Sequence, residues 1–289
     1  MTLAVRQAWD GRAQLGEGPL WSSELQALVF VDILGARLMA YMPDDDTTHC
    51  WSLEEACCWL APHHDGGFVA GLRSRLVRLQ LDEGGPHVLE TLAHPVADRP
   101  GQRLNDGKAD PEGRLWFGTM DDAERHASGA LWRFDASGLQ TLDTPYTVTN
   151  GPAISPDGQT LYHTDSPART VYAFTRHTDG TLSDKRVHLR FGEADGYPDG
   201  MTCDTEGGLW IAHWDGGRVT RFLPDGTRDR HIEVPASRVT CCTFGGDDLS
   251  RLYITTAAVG RDNEPKAGSL FVTEPGLRGM PPCAYRPAP

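Results

Sequence analysis

Long apolar runs, spaced cysteine pairs and an excess of positive charge are all missing from this sequence of 289 residues. No stretch approaches the roughly 18 consecutive apolar residues of a membrane-spanning helix, and the N-terminus lacks a basic segment followed by an apolar one. The seven cysteines include two adjacent pairs but no Cys-x-x-Cys, which argues against a disulfide framework and against a zinc cluster. These absences predict a soluble cytoplasmic protein with reduced thiols.

Basic residues are outnumbered by acidic ones. The 27 Lys and Arg residues and 40 Asp and Glu residues give a formal net charge of −13. A chain of this charge would be repelled by phosphate backbones and by anionic lipid surfaces. We therefore expect neither nucleic acid nor a membrane as a partner, while the oligomeric state stays open.

Several common catalytic motifs are also missing. The sequence contains no Gly-x-Ser-x-Gly, no His-Glu-x-x-His, no Gly-x-x-x-x-Gly-Lys-Ser/Thr and no complete Gly-x-Gly-x-x-Gly. Trp214-Asp215 is a solitary match to the WD dipeptide, whereas a WD40 array would show it in most blades. The function must therefore be sought in another pattern.

That pattern is a short apolar run that recurs six times in a chain rich in glycine and proline. The copies occupy residues 27–33, 66–72, 113–120, 159–166, 207–214 and 251–257. Their anchor residues, which lie 40 to 48 residues apart, are Leu28, Phe68, Leu115, Leu161, Leu209 and Leu252. A period of about 45 residues is that of a blade in a β-propeller.

The surrounding runs complete the blades. Each copy is followed by a second alternating run and usually by a charged one suited to an outer edge, and a short apolar run precedes it. The sixth copy lacks an outer run, so we expect residues 3–9 to close the ring and the proline-rich residues 277–289 to be irregular. The predicted fold is all-β: one domain, 1–289, forming a six-bladed β-propeller of four-stranded antiparallel blades. Two stacked β-sandwiches would not require six copies at one period.

One position in each repeat should point at the central tunnel. Ten or eleven residues before the anchors stand Glu17, Cys58, Asn105, Asn150, Asp199 and Cys241. Four of these side chains carry oxygen, and a ring of such oxygens suits a hard divalent cation. The alternative is that Asn and Asp before glycine simply form turns. The presence of Glu17 in this set favours the metal site over simple turns, because glutamate is a poor turn residue.

Six short motifs resemble those of the SMP-30/gluconolactonase/regucalcin family of six-bladed propellers. They run in order between about residues 12 and 272, with the family's spacing, and comprise Leu15–Trp21, Arg103–Lys108, Gly118–Met120, Asn150–Gly151, Ser155–Gly158 and Pro198–Met201. Within the family, the sequence is most similar to bacterial sugar-acid lactonases such as xylonolactonases.

The resemblance implies a site and its residues. One divalent metal ion would be held by Glu17, Asn150 and Asp199, with Asn105 beside it as a substrate contact or occasional ligand. Arg103 matches the family arginine that contacts substrate. The family's acidic contact after Gly-Thr-Met falls here on Ala123, so the neighbouring Glu124 is expected to take its role.

The working hypothesis is metal-dependent hydrolysis of an aldonolactone of the xylono-, glucono-, arabinono- or galactonolactone type. Asp199 is the predicted general base, and Arg103 and Asn105 would orient ring hydroxyls and stabilise the oxyanion. Oxygen ligands favour Ca²⁺, Mg²⁺ or Mn²⁺, and Zn²⁺ or Fe²⁺ is also compatible with a site that keeps open positions. The alternatives are a broader esterase or organophosphate hydrolase and a non-enzymatic calcium-binding propeller, which would not need Arg103.

Overall fold

The computed structural model describes residues 4–287 and forms a ring of six antiparallel sheets with four strands each. The strands are β1 (Arg6–Trp9), β2 (Gly16–Ser22), β3 (Ala27–Asp32), β4 (Arg37–Met42), β5 (Thr47–Ser52), β6 (Cys57–Pro62), β7 (Phe68–Leu72), β8 (Leu76–Asp82), β9 (Gly85–Ala93), β10 (Gln102–Ala109), β11 (Leu115–Asp121), β12 (Gly129–Asp135), β13 (Gly138–Tyr146), β14 (Thr149–Ile154), β15 (Thr160–Asp165), β16 (Thr170–Arg176), β17 (Leu182–Arg190), β18 (Tyr197–Cys203), β19 (Leu209–Trp214), β20 (Arg218–Phe222), β21 (Arg228–Glu233), β22 (Val239–Gly245), β23 (Arg251–Thr256) and β24 (Leu270–Thr273). A 3₁₀ turn covers Glu193–Asp195. Within residues 4–287, no helix could cross a bilayer.

The strands follow the repeats of the sequence. Five blades are formed by β2–β5, β6–β9, β10–β13, β14–β17 and β18–β21, and the sixth contains β22, β23, β24 and β1. The second strand of a blade is covered on both faces, as in β3, where every residue is buried. The outermost strand is largely exposed and charged, as in β21, where only Ile232 is buried. The predicted six-bladed propeller is thus confirmed.

The N-terminal strand closes the ring. β1 pairs antiparallel with β24, so that Gln7 lies opposite Phe271. The closure predicted for residues 3–9 is therefore confirmed, with the strand beginning at Arg6; Leu3 lies outside the described residues. At the other end of the chain, residues 277–287 form no strand and make only isolated bridges at Gly279 and Tyr285.

Every innermost strand carries a one-residue bulge near the tunnel. In β2 the register steps from Glu17 opposite Val31 to Leu20 opposite Val29, and the first strands of the other five blades show the same single extra residue. A bulge takes a residue out of the ladder and redirects its side chain. The positions that the sequence places at the axis therefore coincide with these breaks. In β14 the bulge includes Gly151 at φ 76°, a backbone conformation that favours glycine.

A buried aspartate follows the innermost strand in the third and fifth blades. Asp110 and Asp204 are fully buried, and each accepts a hydrogen bond of 2.8 Å from the indole N–H of the tryptophan six residues later. Each also pairs with a buried arginine, Asp110 with Arg114 and Asp204 with Arg221. The tryptophan hydrogen bonds fasten the turn to the next strand of the blade, and the Asp204–Arg221 ion pair extends to the strand after it, β20.

His163 gives the fold a predictable sensitivity to acid. Its ring is fully buried, edge-on to Tyr146 at 4.7 Å between centroids, and both ring nitrogens lack a hydrogen-bond partner among the described residues. Burial lowers the pKa of His163 to about 3. Between this value and the ordinary pKa of about 6.5, the unfolded chain binds a proton that the folded chain does not. Lowering the pH through that window should therefore cost about 1.4 kcal/mol of unfolding free energy per pH unit.

Urea unfolding of wild type and His163→Phe at pH 7, 5.5 and 4.5 would measure this contribution. The variant should lose less stability between pH 7 and 4.5, although His213, whose pKa burial lowers to about 4, keeps part of the slope. The exposed His231, changed to phenylalanine, is the control and should follow the wild-type slope. Equal slopes for wild type and His163→Phe would show that His163 titrates with the same pKa in the folded and unfolded chains.

Candidate functional site

Two cavities lie on the propeller axis, on either side of the bulges. The larger one, about 340 Å³, is lined mainly by residues that precede or form the bulges: Leu15, Glu17, Arg103, Asn105, Glu124, Val148, Asn150, Ser166, Pro167, Tyr197, Asp199 and Trp214. The smaller one, about 130 Å³, is lined by residues that follow them. All six candidate site residues meet in the larger cavity, although they come from the first, third, fourth and fifth blades.

Two carboxyl groups, Glu17 and Asp199, are buried in this cavity. Neither forms an ion pair within the described part of the chain, and Glu17 Oε2 accepts one hydrogen bond, of 3.0 Å, from the Gly18 N–H. Burial raises the pKa of Glu17 to about 8, and the charge of Asp106 adds to the effect. Burial, followed by the charges of Glu17 and Asp106, raises the pKa of Asp199 well above its usual range. The protein itself therefore supplies no ion-pair partner that would favour ionisation of these two carboxyl groups.

A chain of hydrogen bonds joins three blades across the cavity floor. Arg103 Nη1 donates to Asn105 Oδ1 at 2.7 Å, and Asn105 Nδ2 donates to Asn150 Oδ1 at 3.1 Å. Asn150 Nδ2 donates to Ser166 Oγ at 2.9 Å, and that hydroxyl donates to the carbonyl of Pro198 at 2.7 Å. The chain fixes both amide orientations and turns the oxygen of Asn150 toward Asn105.

These bonds limit what Arg103 and Asn105 can offer to a ligand. Asn105 uses both amide hydrogens, one on Asn150 and one on the carbonyl of Thr149, so its oxygen is the atom left for a substrate hydroxyl. Arg103 uses Nη1 on Leu104 and Asn105, and its Nε lies 3.3 Å from Asp122. Its Nη2 is the donor without a partner among residues 4–287.

Glu124 reaches the cavity from the loop between β11 and β12. It is exposed, with φ 56°, and it lines the cavity while Ala123 does not. The loop is held by Asp121, whose carboxylate accepts hydrogen bonds from the backbone N–H groups of Arg125 and His126. The structure thus places Glu124, rather than Ala123, in the lining of the cavity.

The axial cysteines do not join this site. Cys241 lines the smaller cavity, and the buried Cys58 donates to the Leu104 carbonyl at 3.1 Å. Burial raises the pKa of Cys58 to about 11 and that of Cys241 well above its ordinary value, so both thiols stay protonated. The four axial positions with oxygen-bearing side chains therefore line the larger cavity, and the two axial cysteines do not.

Asp106 is a half-buried acid that the sequence analysis did not single out beside its neighbour Asn105. It lines the smaller cavity, and its carboxylate accepts hydrogen bonds from Gly107 N–H at 2.7 Å and Gly151 N–H at 3.0 Å. Burial raises its pKa to about 6. Because Gly151 follows Asn150 directly, Asp106 holds the bulge that presents Asn150. The sequence signal for Asp106 was the Asn-Asp-Gly run. The second residue of this run lines the smaller cavity, whereas the first lines the larger one.

The donor set fits a hard divalent cation. Glu17 and Asp199 supply carboxylate oxygens, and Asn150 Oδ1 keeps a second lone pair beside the bond it accepts. A cation would compensate the two buried charges, which otherwise carry a desolvation cost. Among the described residues no three His, Cys, Asp or Glu side chains group as a metal site, so the amide oxygen is required to complete the set.

The fold and the site together define a six-bladed propeller with a small-molecule cavity on its axis. A family model described as "SMP-30/Gluconolactonase/LRE-like region" matches residues 15–258. The chain therefore belongs to the SMP-30/gluconolactonase/LRE-like family, as its motifs predicted.

Individual relatives cover nearly the whole chain. It is 36% identical over 272 residues to the 6-deoxy-6-sulfogluconolactonase of Pseudomonas putida, with 92% of each chain covered. It is 34% identical over 290 residues to pentonolactonase XacC of Haloferax volcanii, covering 96% of this chain and 97% of the relative. The solved structure of regucalcin from Agrobacterium tumefaciens, described as a calcium-binding protein, superposes with a TM-score of 0.91 at 27% identity, covering 99% and 98% of the two chains. The first two relatives are lactonases, which are hydrolases of carboxylic esters.

Proposed function

We propose that the chain hydrolyses a sugar aldonolactone to the sugar acid, with one divalent metal ion held by Glu17, Asn150 and Asp199. The observation that carries the proposal is the convergence of all six candidate residues in one cavity of about 340 Å³. Two of them are buried carboxyl groups without ion-pair partners in residues 4–287. A cavity of this size suits a small ligand. The lactonases among the relatives support the same activity.

The chemistry that a divalent ion supplies in such a site is Lewis acidity, which polarises a carbonyl and strengthens water as a nucleophile at neutral pH. The side chains do the rest. Arg103 Nη2 donates to the lactone oxygen on which negative charge develops, while Asn105 Oδ1 and the Glu124 carboxylate accept hydrogen bonds from sugar hydroxyls. These contacts orient the ring before reaction.

Asp199 moves the proton. Its carboxylate accepts a proton from the attacking water as the water oxygen bonds to the lactone carbonyl carbon. The bond between that carbon and the ring oxygen then breaks, and the proton held on Asp199 passes to the leaving ring oxygen. The product is the open-chain acid, and Asp199 returns to its starting state.

Removing and restoring metal tests the proposal. The purified protein should contain a divalent metal by elemental analysis, and treatment with a chelator should abolish acid release from a panel of xylono-, glucono-, arabinono- and galactonolactone above the spontaneous rate. At least one of Ca²⁺, Mg²⁺, Mn²⁺, Zn²⁺ and Fe²⁺ should restore it. Aryl esters and a phosphotriester, assayed alongside, should give a lower kcat/KM than the best lactone.

The alternative functions predict other results. Higher kcat/KM for aryl esters or the phosphotriester would replace the lactonase with a broader hydrolase. Metal binding by calorimetry without turnover of any lactone would favour a binding protein, as the likeness to a calcium-binding regucalcin structure allows. Full lactonase activity in chelator would remove the metal from the mechanism.

A further inference from the structure

Two aromatic residues form one corner of the cavity. Tyr197 and Trp214 are cross-strand partners at the ends of β18 and β19, both are half-buried, and both line the cavity. The Arg169 guanidinium carbon lies over the Tyr197 ring at 4.1 Å from its centroid, and that of Arg238 lies over the Trp214 ring at 4.5 Å. Neither arginine lines the cavity, so the guanidinium groups cover parts of the rings that face away from it.

The arginines are themselves anchored. Arg169 Nη1 donates to the carbonyls of Gly192 at 3.0 Å and Gly196 at 2.9 Å. Arg238 Nε donates to Asp215 Oδ1 at 3.0 Å, and its Nη1 donates to the Val259 carbonyl. Stacking on a fixed guanidinium restrains each ring. The corner is therefore a pre-organised aromatic surface rather than a pair of mobile side chains.

The remainder of the cavity is acidic. Apart from the Tyr197 phenol, its ionisable lining consists of three carboxyl groups, on Glu17, Glu124 and Asp199, and one guanidinium, on Arg103. Arg103 is already engaged with Asp122 and Asn105. In the proposed function a cation compensates Glu17 and Asp199, and the free Nη2 of Arg103 is used on the lactone oxygen. A negatively charged substituent on a ligand would therefore meet Glu124, which has no ion-pair partner in residues 4–287, without a second basic group in the lining to offset it.

We propose that Tyr197 and Trp214 determine specificity by packing against the C–H surface of the sugar, and that the cavity selects an uncharged aldonolactone over one with an anionic substituent. Carbohydrates expose apolar C–H groups between their hydroxyls, and an immobilised aromatic ring contacts such groups at little entropic cost. The inference rests on the proposed function. It predicts a different substrate preference for this chain than for its Pseudomonas putida relative, whose name specifies a sulfonated lactone.

Steady-state kinetics with three substrates tests the inference: a pentonolactone, gluconolactone and 6-deoxy-6-sulfogluconolactone. Wild type should show a kcat/KM at least about tenfold lower for the sulfonated lactone than for gluconolactone, the ratio expected from one unfavourable charge contact. Trp214→Ala and Tyr197→Ala should each raise KM for the uncharged lactones about tenfold with a smaller change in kcat. Trp214→Phe, which keeps an aromatic face, should stay within about threefold of wild type.

Trp51→Ala is the matched control, because Trp51 is a half-buried tryptophan on β5 that lines neither cavity. Circular dichroism verifies that each variant is folded, and the comparison of substrates in wild type needs no variant. Unchanged KM in both alanine variants, or equal or higher kcat/KM for the sulfonated lactone, would overturn the inference while the lactonase stands. Absence of turnover for all three lactones in wild type would instead overturn the proposed function.

Discussion

The Asp199→Asn variant is expected to lose about 10²- to 10⁴-fold in kcat on the best lactone, even at saturating metal. The substitution preserves size and one oxygen but removes the group that accepts the proton of the attacking water. Asp199 is buried with Glu17 and Asp106 close enough to raise its pKa, so a neutral amide should be accommodated without unfolding. Initial rates of acid release against metal concentration give the measurement.

Glu17→Gln separates the two roles assigned to Asp199. Both residues are candidate ligands, but Glu17 has no proton-transfer role, so its variant should need more metal and recover most of the wild-type kcat at saturation. Asp225→Asn, on the exposed turn between β20 and β21 of the same blade as Asp199, should behave as wild type. If Asp199→Asn also recovers wild-type kcat at high metal, Asp199 is a ligand and the general base lies elsewhere.

The repeat period was sufficient to predict the fold. Each apolar copy became the second strand of a blade, and the copy at 159–166 became β15, Thr160–Asp165. The period succeeds because each blade must bury both faces of its inner strands against its neighbours, which imposes the same apolar run at each repeat. Closure by the N-terminal strand followed from the missing outer strand of the last copy. The bulges were not predicted. An extra residue in one strand can be recognised only when the pairing of that strand with its neighbour is known.

The site likewise contains residues that the sequence could predict and residues that it could not. Residues that break the repeat with an unusual side chain, such as Glu17 and Asp199, could be found by counting from the anchors. Ser166, Tyr197 and Asp106 could not, because their roles depend on hydrogen bonds or packing between different blades. The orientation of the Asn105 amide also required the structure, since its donors are used on Asn150 and the Thr149 carbonyl.

Asp204→Ala is expected to lower the free energy of unfolding by about 3–5 kcal/mol. The fully buried carboxylate accepts hydrogen bonds from Trp210 Nε1 at 2.8 Å, Gly208 N–H at 2.8 Å and Arg221 Nε at 2.6 Å. Its removal leaves those donors without a partner inside the blade and the buried Arg221 charge without its nearest counterion. Urea unfolding followed by tryptophan fluorescence measures the change.

The double variant Asp204→Ala/Arg221→Met identifies the cause. In Asp204→Ala the Arg221 guanidinium keeps only its more exposed partners, Asp229 at 2.9 Å and Glu206 at 3.1 Å. If the loss comes mainly from this weakened pairing of the guanidinium, removing Arg221 as well should restore part of the stability, and the coupling energy of the cycle should exceed about 1 kcal/mol. Asp248→Ala, which removes a half-exposed partner of Arg278, should leave the urea midpoint unchanged. A double variant no more stable than Asp204→Ala would place the loss in the unpaired indole and backbone N–H groups instead. The aspartate would then act as a cap for the turn rather than as a counterion.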